Sequence, residues 1–220
     1  MIDKNKLSSA IQKALEGGKG KAKFVQSVEV AINFRDVDFN KPENRLNLDI
    51  ILPFAPKMPK VAIFAEGQLA LDARGVCDKI ISGQEIETYV KDKKLQKELL
   101  QYTLLASTQL MAVVGKNLGQ LLGARGKLPK PVMPGMNLKD LVNRTQRSVS
   151  IKTKGKYLPT VHVIIGKDAM PVEQILENLQ AILESIEKKI PEHQLSSIYL
   201  KTTMGPAVKV WRFLGKESKV

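Results

Sequence analysis

The stretch Pro53-Phe54-Ala55-Pro56-Lys57-Met58-Pro59 divides two kinds of sequence and so limits what this chain can fold into. Three prolines in seven residues fix φ and remove backbone donors, so no strand or helix runs through them. Upstream, Val28, Val30, Ile32 and Phe34 alternate with Glu29, Ala31 and Asn33. Leu46, Leu48, Ile50 and Leu52 repeat that period of two, with Asn47 and Asp49 facing outward. Alternation of this kind marks strands with one face buried and one face wet. Downstream, Val61-Ala62-Ile63-Phe64-Ala65 and Tyr102 to Ser107 are short continuous apolar runs, the mark of strands buried on both faces.

The first style returns after Asn143. Two strand-like runs flank the basic turn Lys154-Gly155-Lys156, and Val172, Ile175, Leu176, Leu179, Ile182, Leu183 and Ile186 form the apolar stripe of a long helix begun by Pro171. Ser196 to Thr203 and Ala207 to Phe213 read as a final pair of strands. Near the start, Leu7, Ile11, Ala14 and Leu15 predict a helix from Asn5 to Glu16, stopped by Gly17 and Gly18. Between the flanks, helices are expected at Leu69 to Arg74, Ile86 to Leu100 and Thr108 to Leu122, and their alternation with buried strands implies a small parallel sheet. The economical reading is an inserted domain: residues 1–56 and 148–220 form an α+β domain, and 57–147 fold separately as α/β, joined by two linkers that make a hinge.

Charge limits the partner. Lys and Arg number 35 against 22 acids, a net charge of +13. Such a surplus attracts polyanions across a Debye length of about 8 Å, and nucleic acid leads the candidates. Aromatic residues make up only 5%, which disfavours single-strand binding by base stacking. A basic protein without stacking platforms or a recognition helix points to the shape and backbone of structured RNA.

Catalytic and metal chemistry find little support. His162 and His193 are the only histidines and Cys77 the only cysteine, so zinc, Cys-His catalysis and disulfides are not expected. No apolar run reaches the length of a membrane span, and Met1 to Ala10 holds no signal-peptide core, so a soluble cytoplasmic protein is expected. The glycine-rich run from Val114 to Pro131 lacks phosphate-loop spacing: Leu121 stands where the first glycine belongs and Leu128 where the Mg²⁺-binding hydroxyl belongs. What remains is a flexible basic loop carrying Lys116, Arg125, Lys127 and Lys130, in a region from Met111 to Thr160 whose only acid is Asp140. It suits a phosphate backbone better than a nucleotide.

Three stretches, Lys21 to Phe34, Leu118 to Pro131 and Ser196 to Val210, together resemble the large-subunit ribosomal protein L-one family of archaeal type. The sequence Thr202-Thr203-Met204-Gly205-Pro206 is the most specific mark. The resemblance implies two domains: a split α+β two-layer sandwich from both termini, interrupted by a Rossmann-like three-layer α/β domain. It implies a non-enzymatic protein of the ribosome, without cofactor or membrane and monomeric when free. Such a protein binds large-subunit rRNA, forms the mobile stalk near the E site, helps deacylated tRNA leave, and represses translation of its own mRNA. Carried over by motif, the rRNA and mRNA contacts are Lys23, Phe24 and Glu29 with Ser197, Thr203, Met204 and Gly205. Lys152, Lys154, Arg125, Lys127 and Lys130 are secondary basic contacts. The family's Leu-Gly-Pro-Arg-Gly segment has Ala124 at the proline position here, which predicts a looser loop. The competing readings are a nucleotide-binding α/β enzyme using the glycine-rich run and a non-ribosomal RNA-binding regulator.

Overall fold

The alternation on β1 (Ser27–Phe34) is carried out residue by residue: Val28, Val30, Ile32 and Phe34 are buried, and Ser27, Glu29, Ala31 and Asn33 stay half-exposed. A computed structural model describes residues 4–56, 58–133, 135–153 and 158–212. The chain divides into two compact units, Met1–Lys57 with Arg147–Val220, and Met58–Gln146.

In the first unit β1 lies inside a four-stranded antiparallel sheet. It pairs with β8 (Thr160–Lys167) on one side and β9 (Leu195–Thr202) on the other, and β10 (Val208–Arg212) extends the sheet beyond β9. Helices α1 (Lys4–Gly18) and α7 (Val172–Glu187) cover one face, where Leu7, Ile11, Ile175, Leu179 and Ile182 meet Val30, Ile32 and Ile198 in a single core. The other face keeps Glu29, Asn33, His162, Ile164, Tyr199 and Lys201 half-exposed or exposed. Sheet on one side and helices on the other make two layers.

The strands on either side of the second unit pair with each other, not with their sequence neighbours. β2 (Asn47–Ile51) runs antiparallel to β7 (Ser148–Lys152), with Ile51 opposite Ser148. The proline-rich segment that follows β2 is fastened down: buried Asn178 of α7 accepts from the Phe54 N–H at 3.0 Å and donates to the Phe54 and Ile165 carbonyls. The second crossing differs from the expected linker, because α6 (Leu138–Arg147) ends one residue before β7 begins.

In the second unit β3 (Val61–Phe64) is buried at every position. It pairs in parallel with β4 (Lys79–Ile81) and β5 (Thr103–Ser107), and β6 (Lys130–Val132) extends the sheet beyond β5. α2 (Gly67–Asp72) and α6 supply Leu69, Ala70, Leu138 and Val142 to the core on one face. α3 (Ile86–Lys91), α4 (Lys93–Leu99) and α5 (Thr108–Ala124) supply Ile86, Leu99, Val114 and Leu118 to the other. Three layers explain why β3 could not alternate.

Three helical expectations need correction. Gly17 and Gly18 do not stop α1 but are its last two residues. The stretch from Ile86 to Leu100 is two helices, because Asp92 leaves the helical region and its carboxylate accepts from the Lys94 N–H at 2.7 Å, restarting the chain as an N-cap. Pro171 is the N-cap of α7, one place before the first helical residue. β4, β6 and α6 had no sequence forecast. Three-residue strands show no readable period, and Pro131 fits β6 because that strand is a sheet edge.

Candidate nucleic-acid interface

Thr202 to Gly205 form a tight turn at the end of β9, with the Gly205 N–H donating to the Thr202 carbonyl at 3.2 Å. Thr203 continues the pairing with β1. Its N–H donates to the Ser27 carbonyl at 3.1 Å, and its hydroxyl oxygen accepts from the Ser27 N–H at 3.2 Å. Met204 faces the other way: its N–H donates to Gln26 Oε1 at 2.9 Å. The Gln26 Nε2 in turn donates to the Gly18 carbonyl near the end of α1 at 2.8 Å. Gln26 is 3% exposed, so one buried amide joins helix end, strand start and turn.

Glycine and proline seat this turn on the helix. Gly17, Gly18 and Gly205 are absent from the positive-φ residues, so backbone conformation does not demand them. Close approach does. A Cβ on Gly18 would lie 2.1 Å from Thr202 Oγ1, and one on Gly205 would lie 2.2 Å from the same atom and 3.2 Å from the Gly18 backbone. A Cβ on Gly17 would lie 3.0 Å from the Pro206 ring. The bare side of Gly205 therefore faces Thr202 and the end of α1. Thr202 Oγ1, between the two glycines, is buried without a hydrogen-bond partner. Such an orphan costs about 1–3 kcal/mol, which the packing of the turn must offset.

The two sequence stretches singled out by resemblance are thus brought together at one end of the sheet. Lys23 and Phe24 occupy an exposed bend just before Gln26, and Phe24, Val25 and Met204 are 58%, 56% and 55% exposed. Glu29 lies on the accessible sheet face directly opposite Lys201. Ser197 stands apart from this group. It is six positions before Thr203, roughly 20 Å along a strand. It is nearly buried and accepts from the Asn33 amide at 3.0 Å, while Asn33 accepts from the Thr160 hydroxyl at 2.9 Å. Sequence reasoning missed Gln26, Thr202 and the packing role of Gly17 and Gly18. A glutamine before an alternating strand carries no motif, and paired glycines after a helix read as a stop signal.

The expected flexible basic loop is mostly helix. α5 continues to Ala124, so Gly115, Lys116, Gly119 and Gly123 are helical, and Ala124 is the last helical residue rather than part of a loosened loop. Gly126, at φ +64°, ends it: Gly126 N–H donates to Gly123 O at 2.9 Å and Lys127 N–H to Leu122 O at 2.8 Å, the paired bonds of a Schellman cap. Lys127 folds back, its ammonium donating to the Leu100 and Tyr102 carbonyls. Lys130 is in β6, and Arg125 is an exposed residue at the helix cap. Lys152 ends β7 on its exposed side, and Lys154 lies outside the described residues.

The second unit has the architecture that binds nucleotides at the carboxyl ends of its strands, beside the β3–β5 switch point. There, however, β3 leads to Ala65-Glu66-Gly67, and the Glu66 carboxylate accepts from the Gly83 N–H at 3.0 Å. A carboxylate repels phosphate, and the glycines of the glycine-rich run lie within and after α5. Among the described residues no group of three His, Cys, Asp or Glu side chains could hold a metal ion. Cys77 is a poor nucleophile, its thiol pushed up to about 11 by burial and by Asp78. No described helix is long and apolar enough to cross a membrane.

The profile of the Ribosomal protein L1p/L10e family matches residues 11–206. The chain is 41% identical over 216 residues to the large ribosomal subunit protein uL1 of Archaeoglobus fulgidus, covering 96% of this chain and 99% of that one. It is 42% identical over 217 residues to the large ribosomal subunit protein uL1 of Thermofilum pendens, covering 96% of each chain. Against the uL1 of Thermococcus kodakarensis it is 40% identical over 217 residues, covering 96% of this chain and 99% of that one.

Proposed function

Because this chain belongs to the ribosomal protein L1p/L10e family, we propose that it is a component of the large ribosomal subunit that binds structured rRNA. The main RNA surface lies on the domain formed by residues 1–56 and 148–220. It is a binding protein and not an enzyme, as its relatives' names as ribosomal subunit proteins imply. As the mobile stalk near the E site it assists release of deacylated tRNA, and it binds its own mRNA as a translational repressor. Its place is the ribosome in the cytoplasm.

One observation carries the RNA reading. A turn without charge, Thr203-Met204-Gly205, is hydrogen-bonded to Gln26 and Ser27, just after exposed Lys23 and Phe24, in a protein of net charge +13. Charge draws RNA in without regard to sequence, and fixed uncharged groups then choose among RNAs. Met204 and Phe24 offer apolar surface for sugars and bases, and Lys23 offsets phosphate. Glu29 accepts only from hydroxyl or base donors and serves selectivity. Arg125, Lys130, Lys152 and Lys154 are secondary contacts.

The test is filter binding of the full chain to transcribed large-subunit rRNA, beside melting curves. Met204→Asp, whose side chain is exposed and bonds nothing, should weaken binding by about 1–3 kcal/mol without lowering the melting temperature. Unchanged affinity removes the turn from the interface. Co-sedimentation with ribosomes separates a ribosomal role from that of a free RNA-binding regulator.

A further inference from the structure

We propose that Gln26 is a positioning residue for RNA recognition: its buried amide, anchored on the Gly18 carbonyl, fixes the orientation of the Thr203-Met204 turn. The inference rests on reading that turn as an RNA contact. Gln26 itself is 3% exposed, so it acts through the turn rather than on a surface of its own. Its Oε1 accepts the one N–H of the turn that neither the β1 ladder nor the turn's own bond uses, that of Met204. With that N–H drawn inward, the Met204 side chain is presented outward at 55% exposure. The other end of the amide is tied to α1 by Nε2 at 2.8 Å. A helix held by its core contacts thereby becomes the reference for a three-residue recognition element. The same backing wall explains why Gly18 and Gly205 cannot carry a Cβ, since Thr202 fills the space between them. A rigid turn loses less freedom on binding, so its selectivity is gained before RNA arrives.

A residue that positions the turn differs measurably from one that only stabilises the fold. Gln26→Met removes both hydrogen bonds at similar volume and removes no charge. Asn178→Leu is the matched control, since Asn178 is also a buried amide joining separate segments, Phe54 and Ile165. The full-length variants are titrated against transcribed large-subunit rRNA and against a random-sequence RNA duplex of equal length, at several salt concentrations. Gln26→Met should lose roughly tenfold or more in rRNA affinity while its duplex affinity holds. The slope of log affinity against log salt should not change, because no phosphate-neutralising charge is lost. Asn178→Leu should lower the melting temperature comparably and keep rRNA selectivity. Should Gln26→Met not fold, Gln26→Glu, which keeps only the acceptor, is read by the same ratio. Wild-type selectivity in the Gln26 variant, or an equal loss in Asn178→Leu, overturns the proposal. A wild-type protein that does not prefer rRNA to the duplex overturns the underlying reading of the turn as well.

Discussion

The two main sheets of this chain solve the same burial problem differently, and the difference explains which unit offers a surface. β3 of the inserted unit is packed on both faces, so Val61, Ala62, Ile63 and Phe64 are all consumed by the core. β1 of the split unit is packed on one face, and its outward residues Glu29, Ala31 and Asn33 stay available. A three-layer unit can offer a partner only helix faces and loops, whereas a two-layer unit can also offer strand faces and strand ends. The uncharged turn after Thr202 lies at such a strand end.

The sharpest way to break this comparison is to put a charge on each sheet. Ile63→Lys should destabilise the second unit by at least about 4 kcal/mol, because the ammonium has no wet face to reach. Ala31→Lys should stay within about 0.5 kcal/mol of wild type, since that position faces solvent. Denaturant titration of both variants decides, and equal losses would show that the accessible face is also core.

A second contrast lies within one helix and its cap. Gly126→Ala should cost about 1 kcal/mol, because φ +64° is left-handed. Gly115→Ala should instead stabilise by roughly 0.5–1 kcal/mol: the residue is helical and a Cβ there meets nothing within 4 Å. Opposite signs in thermal melts support the helix and its cap, and a loss at Gly115 would speak against a helix through that position.

The smallest effect concerns the surface of the second unit. Lys79 Nζ lies 2.8 Å from Glu98 Oε1, and this hydrogen bond holds the Glu98 carboxyl below the usual carboxylate range and raises the Lys79 ammonium above its ordinary value. The Glu98 contribution is present above the unfolded carboxylate pKa and fades as pH falls through the lowered folded one. The Lys79 contribution is complete below the unfolded lysine pKa and fades as pH rises through the raised folded value. Melting temperature against pH for Glu98→Gln should differ slightly from wild type at neutral pH and converge with it in acid. A constant offset down to the most acid pH would remove the ion pair as its cause.

Much of the fold was readable because it is written in local periods. The alternation of β1, the continuous run of β3 and the stripe of α7 each state which faces are buried. β4 and β6 are unreadable because three residues hold no period, whereas α5 follows the expected Thr108 to Leu122 helix and runs two residues further, to Ala124. In the candidate site, Lys23, Phe24 and Met204 were named from resemblance and lie exposed around Gln26. Ser197 and Lys127 were named as contacts and are engaged internally, which a list of polar and basic residues does not reveal.

By itself the sequence determined the net charge, the two styles of strand, the division near Pro53 and the unusual turn at Thr202 to Pro206. These are local properties, set by side-chain type and spacing. Only the tertiary structure decided that Gly17 and Gly18 form the wall against which the turn is built, and that Gln26 reaches it across a gap of 178 residues. Close approach of two backbones and the sharing of one buried amide depend on distances between remote segments, and local residue patterns do not encode those distances.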